Sequence, residues 1–135
     1  MIYLDSSALL KLLVEEAESA ALSEWMVQHP GLPAVSSELA LVEVVRAVRR
    51  LAPEAEPDAR TLVAQLDLIP LSSDVVAQAA DAGDPMLRML DALHLASALA
   101  VREALTFFVV YDHRLAAAAR AAGFEVVQPG AVPSA

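Results

Sequence analysis

Apolar residues along this chain follow two rhythms. Ile2-Tyr3-Leu4, Leu68-Ile69-Pro70-Leu71, Thr106-Phe107-Phe108-Val109-Val110-Tyr111 and Phe124-Glu125-Val126-Val127 are short β-prone runs bounded by polar or turn-forming residues, and they predict strands. Between them the composition and spacing change to those of helices. Asp5-Ser6-Ser7 turns the first strand into a helix over Ala8 to Val14, and a second helix is expected from about Glu16 to His29, closed by Pro30-Gly31. Leu39, Val42, Val45 and Val48 recur at every third position of a helix read from Glu38 to Leu51, with Arg46, Arg49 and Arg50 near its end, where cations suit the helix dipole. Pro53 and Pro57 break the chain before a helix from Asp58 to about Leu66. Ser72-Ser73-Asp74 caps another that runs to about Ala82, and Gly83-Asp84-Pro85 is a loop. Helices over Leu90 to Ala100 and His113 to Ala122 complete the set, and nothing marks a linker or a repeat.

Short apolar strands alternating with helices imply an α/β fold, a central parallel sheet with helices on both faces, in a single domain over residues 1–135. Ligands of such sheets bind in a crevice outside the carboxyl ends of the strands. Asp5 and Asp112 both stand at such ends.

Charge changes the picture. Eighteen acidic residues against nine basic ones give a formal charge of −9, which argues against gripping nucleic acid by bulk charge. A nuclease that concentrates carboxylates around divalent cations, with a few Arg at the rim, stays open. The 57% hydrophobic content and mean hydropathy of +0.51 reflect Ala-rich helices, since no apolar run approaches the ~20 residues that span a membrane. A soluble chain is expected. Its start, Met1-Ile2-Tyr3-Leu4-Asp5, lacks the basic segment of a signal peptide, so the expected home is cytoplasmic. So much apolar surface on a small chain also suggests that a second chain covers part of it. With no Cys, thiolate catalysis and Cys-ligated metals are excluded.

Taken singly, Asp5, Asp91 and Asp112 each read as a helix N-cap. Glu43 does not, because Leu39-Ala40-Leu41-Val42-Glu43-Val44-Val45 is apolar almost all round. A carboxylate there needs a partner, a proton or a metal, and Arg46 or Arg50 on the same helix is the simple partner. Glu38 and the acids from Glu15 to Glu24 read as solvated, and Asp74 as a cap. His94, among Leu93, Leu95 and Ala98, reads as a packed, hydrogen-bonded core residue rather than a ligand. Carboxylates meeting in one pocket would repel unless a hard cation such as Mg²⁺ or Mn²⁺ joined them, and the chemistry such a set serves is phosphodiester hydrolysis.

Four blocks, in order, resemble the PIN-domain ribonucleases of the VapC toxin type. They are Ile2-Tyr3-Leu4-Asp5-Ser6-Ser7-Ala8-Leu9, Ser37-Glu38-Leu39-Ala40-Leu41-Val42-Glu43-Val44-Val45-Arg46-Ala47, Leu90-Asp91-Ala92-Leu93-His94-Leu95-Ala96 and Val109-Val110-Tyr111-Asp112-His113-Arg114-Leu115. The resemblance implies a three-layer α/β/α PIN domain with Asp5, Glu43, Asp91 and Asp112 as the catalytic, metal-holding acids. It also implies that Ser7 is a hydroxyl contact to water or ligand beside the pocket. The implied activity is Mg²⁺-dependent endonucleolytic cleavage of RNA, tRNA or ribosomal RNA, by metal-activated water. The implied partners are a cognate antitoxin, whose C-terminal segment crosses the pocket, and a second copy in a homodimer. Arg46, Arg49 and Arg50 are rim candidates for RNA phosphates, with surface salt bridges as their alternative. One departure stands out: the family's usual Thr two positions before the fourth acid is Val110 here.

Two rival readings remain at this level. Asp5 could be the nucleophile of an aspartyl-phosphate phosphatase, although position 7 is Ser where such enzymes resemble Asp-x-Asp. Alternatively, the acids could form a PIN-like module of weak catalysis that seats a basic partner peptide.

Overall fold

The computed structural model describes residues 1–132; the last three positions of the expected domain lie outside the described residues. Five strands, β1 (Ile2–Leu4), β2 (Ala34–Ser37), β3 (Asp67–Ile69), β4 (Phe107–Val109) and β5 (Val126–Val127), form one parallel sheet in the order β3-β2-β1-β4-β5. The helices are α1 (Ser6–Lys11), α2 (Ser19–Val27), α3 (Leu39–Leu51), α4 (Glu56–Ala64), α5 (Ser73–Asp81), α6 (Met89–Ala100) and α7 (His113–Ala121). Single 3₁₀ turns at Pro53–Ala55 and Arg102–Ala104 precede α4 and β4. Among the described residues no helix is long and apolar enough to cross a membrane.

Strand alternation divides the core into two. Ile2 and Leu4 of β1 face one side, where they pack with Leu9, Leu22, Val44, Val48 and Val63 from α1 to α4. Tyr3 faces the other side and meets Phe108, Leu95 and Leu115 beneath α6 and α7. Every β1 residue is therefore buried, as in sheets covered on both faces. This is the expected three-layer architecture.

No strand is predicted at Ala34–Ser37 by the hydrophobic pattern, yet β2 occupies a place between β1 and β3. Its serines stand where apolar residues are usual. Ser36 is fully buried and donates its hydroxyl to the Leu4 carbonyl at 2.6 Å, and Ser37 Oγ accepts from the Leu39 N–H as α3 begins. Both polar groups are thereby satisfied inside the core.

The strand order fixes the crevice. From β1 the chain builds outward through β2 to β3, then crosses to add β4 on the opposite side of β1. The order reverses between β1 and β4, and crossover connections diverge there at the carboxyl ends. Asp5 directly follows β1, and Asp112 follows β4 by three residues.

Candidate active site

Asp5 is the N-cap of α1, with an extended backbone and a side chain that is almost wholly buried. Its Oδ1 accepts the Ala8 N–H at 3.0 Å and the Ser7 hydroxyl at 2.7 Å. Burial raises the Asp5 pKa, while the charge of His94 and the hydrogen bonds of Ser7 and Ala8 pull it down; the net shift is upward. Ser7 also accepts the Tyr111 N–H at 3.1 Å, so one hydroxyl joins the end of β4 to the acid at the end of β1.

Glu43 lies one turn into α3, on the side that faces the start of α1. The Ser6 hydroxyl donates to its Oε1 at 2.6 Å, and His94 Nε2 from α6 meets the same oxygen at 2.7 Å. His94 is itself buried, and its Nδ1 stands 2.7 Å from the Tyr3 hydroxyl. With ionised Glu43 as acceptor, Nε2 carries a proton. Nδ1 then accepts from the Tyr3 hydroxyl when the ring is neutral and donates to it when the ring is protonated, so no member is left unpaired in either state. Burial pushes the Glu43 carboxyl up, but the hydrogen bond and charge of His94, with Ser6, outweigh it and hold the group below its usual range.

Asp112 caps α7, accepting the Leu115 N–H on Oδ1 at 2.9 Å. Asp91 is not a cap. Arg88 occupies the N-cap position of α6, and Asp91 sits in the first turn with its carboxylate mostly buried. Arg88 links the two acids: Nη2 donates to Asp112 Oδ2 at 3.1 Å, and Nε lies 3.4 Å from Asp91 Oδ2 without forming a hydrogen bond. Asp91 Oδ2 is thus buried with no hydrogen-bond partner among the described residues. Burial first and the Asp112 charge second raise the Asp91 pKa, against the pull of Arg88 and His94.

Ser7 thus holds Asp5, Ser6 and His94 hold Glu43, and Arg88 faces Asp91 and Asp112. Among the described residues no three His, Asp or Glu side chains form a ready-made metal-binding group. The expected Arg46 or Arg50 partner for Glu43 is replaced by His94, because both arginines are exposed. Arg46, Arg49 and Arg50 line a surface cleft of about 390 Å³ on α3; Arg49 pairs with Glu56, while Arg46 and Arg50 enter no salt bridge among the described residues. Val110 is fully buried with Tyr3, Phe108 and Leu115, so its side chain belongs to the core rather than the crevice. Asp74 lies in the first turn of α5, where Ser72 is the cap.

Sequence reasoning missed Ser6, Arg88 and the partnership of His94 with Glu43. Ser6 neighbours the chosen Ser7, and Arg88 lies three residues before Asp91, a spacing that pairs side chains on a helix.

The PIN domain family matches residues 2–121. Over 135 residues, covering 98% of this chain and 99% of the relative, the sequence is 43% identical to Ribonuclease VapC47 of Mycobacterium tuberculosis. The chain belongs to the VapC family of PIN-domain proteins. A second VapC relative, Ribonuclease VapC35 of the same species, is 42% identical over 132 residues, covering 96% of this chain and 98% of its own. The crystal structure of Mycobacterium tuberculosis VapC20, a sarcin-ricin loop cleaving toxin, superposes with a TM-score of 0.75 at 18% identity, covering 96% of this chain and all of that one. VapBC2 of Rickettsia felis, bound to a DNA fragment from its promoter, superposes with a TM-score of 0.73 at 12% identity over 96% of this chain and 99% of that one. The VapC fold thus persists at identities where little sequence is shared.

Proposed function

We propose that this VapC-family chain is a divalent-metal-dependent endoribonuclease and the toxin half of a toxin–antitoxin pair. The observation that supports this reading is that Arg88 faces both Asp91 and Asp112, while the charge of His94 acts on Asp5, Glu43 and Asp91, which links acids from four separate segments. Near-full-length similarity to proteins named ribonucleases supports it.

Asp5, Glu43, Asp91 and Asp112 would hold Mg²⁺ or Mn²⁺. The donors are all carboxylate oxygens, which suits hard cations, and Asp91 Oδ2, buried and without a hydrogen-bond partner among the described residues, is an acceptor that such an ion would satisfy. When bound, the ion supplies Lewis acidity toward the phosphodiester and toward water. The chain's own groups prepare the site. Ser7 and the Ala8 N–H hold Asp5 by Oδ1, while His94 and Ser6 hold Glu43 by Oε1. Arg46 and Arg50, which enter no salt bridge among the described residues, offer their guanidinium groups to RNA phosphates. They offset the acidic surface locally, where bulk charge does not.

Two of the solved structures similar in fold, from Klebsiella pneumoniae and Rickettsia felis, are a toxin-antitoxin complex and VapBC2. A basic antitoxin segment fits the acidic crevice of this chain. A second copy fits the exposed apolar side chains Val76, Met86 and Met89. The same reading puts the protein in the cytoplasm, with its RNA substrate.

Purified protein is expected to cut RNA internally with Mg²⁺ or Mn²⁺ and to stop when EDTA is added. Asp5→Asn and Glu43→Gln each lower the rate at least about 100-fold, as loss of a metal-holding or polarising group does. Cleavage that survives EDTA or Asp5→Ala overturns the proposal, and antitoxin binding without any cleavage favours a pure binding module.

A further inference from the structure

Arg88 is the one described cation bonded to Asp112 and paired with Asp91, and it holds them loosely. Its side chain is 64% exposed, it makes a single hydrogen bond to Asp112, and its approach to Asp91 satisfies no acceptor. The loop before it is well defined. The Met86 N–H is accepted by Asp84 Oδ1, the Leu87 N–H by the Asp84 carbonyl, and Gly83 takes a positive φ of 70° with Leu87 packed against it. That turn delivers Arg88 to the N-cap position of α6 with an extended backbone. The guanidinium therefore hangs from a fixed backbone on a long, solvated arm across two carboxylates.

A guanidinium and a divalent ion would compete for these carboxylates, since either neutralises Asp91 and Asp112, and Arg88 already lies against Oδ2 of each. The other side chain whose charge acts on Asp91, His94, is committed to Glu43. We propose that Arg88 is an internal counter-ion for the cation-free state, one that a divalent metal must displace from Asp91 and Asp112, so that Arg88 sets the metal affinity of the site. The inference rests on the reading of these acids as a metal site. It also accounts for the lack of a ready-made metal group among the described residues, because two of the four acids already share a cation.

The test is calorimetric titration of Mn²⁺ into the EDTA-stripped full-length chain, with no RNA present. Arg88→Gln is expected to bind Mn²⁺ roughly tenfold more tightly than the parent, the scale of losing a half-exposed competing ion pair. Arg88→Lys keeps a competing cation and is expected to stay within about threefold of the parent. In thermal scans, Arg88→Gln melts lower than the parent in EDTA and gains more from Mn²⁺. If Arg88→Gln binds Mn²⁺ no more tightly while Asp91→Asn loses binding, the metal site stands and the counter-ion role is overturned. If Asp91→Asn and the parent bind Mn²⁺ alike, the metal site itself fails and the counter-ion role fails with it.

Discussion

His94 and Glu43, 51 positions apart, share a 2.7 Å hydrogen bond between Nε2 and Oε1 that ties α6 to α3. Tyr3, on the central strand, holds the far side of the same ring. His94→Ala removes the ring partner of a fully buried Tyr3 hydroxyl and leaves Glu43 Oε1 with Ser6 alone. It is expected to cost about 2–4 kcal/mol of stability in urea denaturation. Tyr3→Phe removes only the hydroxyl and costs about 1–2 kcal/mol. A double-mutant cycle of His94→Gln with Glu43→Gln is expected to show coupling of about 1–2 kcal/mol, and additive effects count against a functional link.

The Glu43 carboxyl is held below its usual range, so its contribution to stability is present above the pKa of an unfolded glutamate and is lost as pH falls through the folded value. Glu43→Gln is therefore expected to be less stable than the parent at pH 7, by about 1–2 kcal/mol. The gap closes on titration from about pH 5 to pH 3. Denaturation midpoints at several pH values measure this, and a gap that widens in acid contradicts the assignment.

Asp91 carries the opposite sign. Burial and the Asp112 charge raise its pKa, so its ionised form weakens the fold, and that cost is relieved as pH falls below the folded value. In metal-free buffer at pH 7, Asp91→Asn is expected to raise Tm by about 3–5 °C, which corresponds to about 1 kcal/mol in a chain this size. The advantage shrinks toward pH 4, and a lower Tm at neutral pH refutes it.

Arg46 and Arg50 are exposed and free of ion pairs among the described residues, unlike Arg49. Replacing both with Gln is expected to weaken RNA binding in EDTA and to flatten its dependence on salt by about 0.7 for each phosphate no longer neutralised. Fluorescence anisotropy over a range of KCl concentrations reads the slope, and an unchanged slope removes these residues from the RNA path.

Much of this arrangement is legible in the chain alone, and what is not has physical causes. β1 and β4 announce themselves because strands covered on both faces must be apolar throughout. β2 stays silent because Ser36 and Ser37 satisfy their hydroxyls on the backbone and pass for a loop. Asp5 and Asp112 are both helix caps and crevice residues, so weighing the two roles as rivals sets apart what one side chain does at once. The burial of His94 follows from its apolar neighbours, but its partner comes from another helix, and spacing along one helix offers only Arg46 or Arg50 to Glu43. Asp91 reads as a cap because Arg88, which has no capping side chain, is the residue that starts the helix.

The crevice lies between β1 and β4, which are adjacent in the sheet but separated in the chain by β2 and β3, and its last acid is Asp112. On the ribonuclease reading, a ribosome translating this message carries an unarmed polypeptide until β4 emerges and pairs with β1. A nonsense codon anywhere before β4 then yields a fragment without Asp112 and with no power to cut RNA.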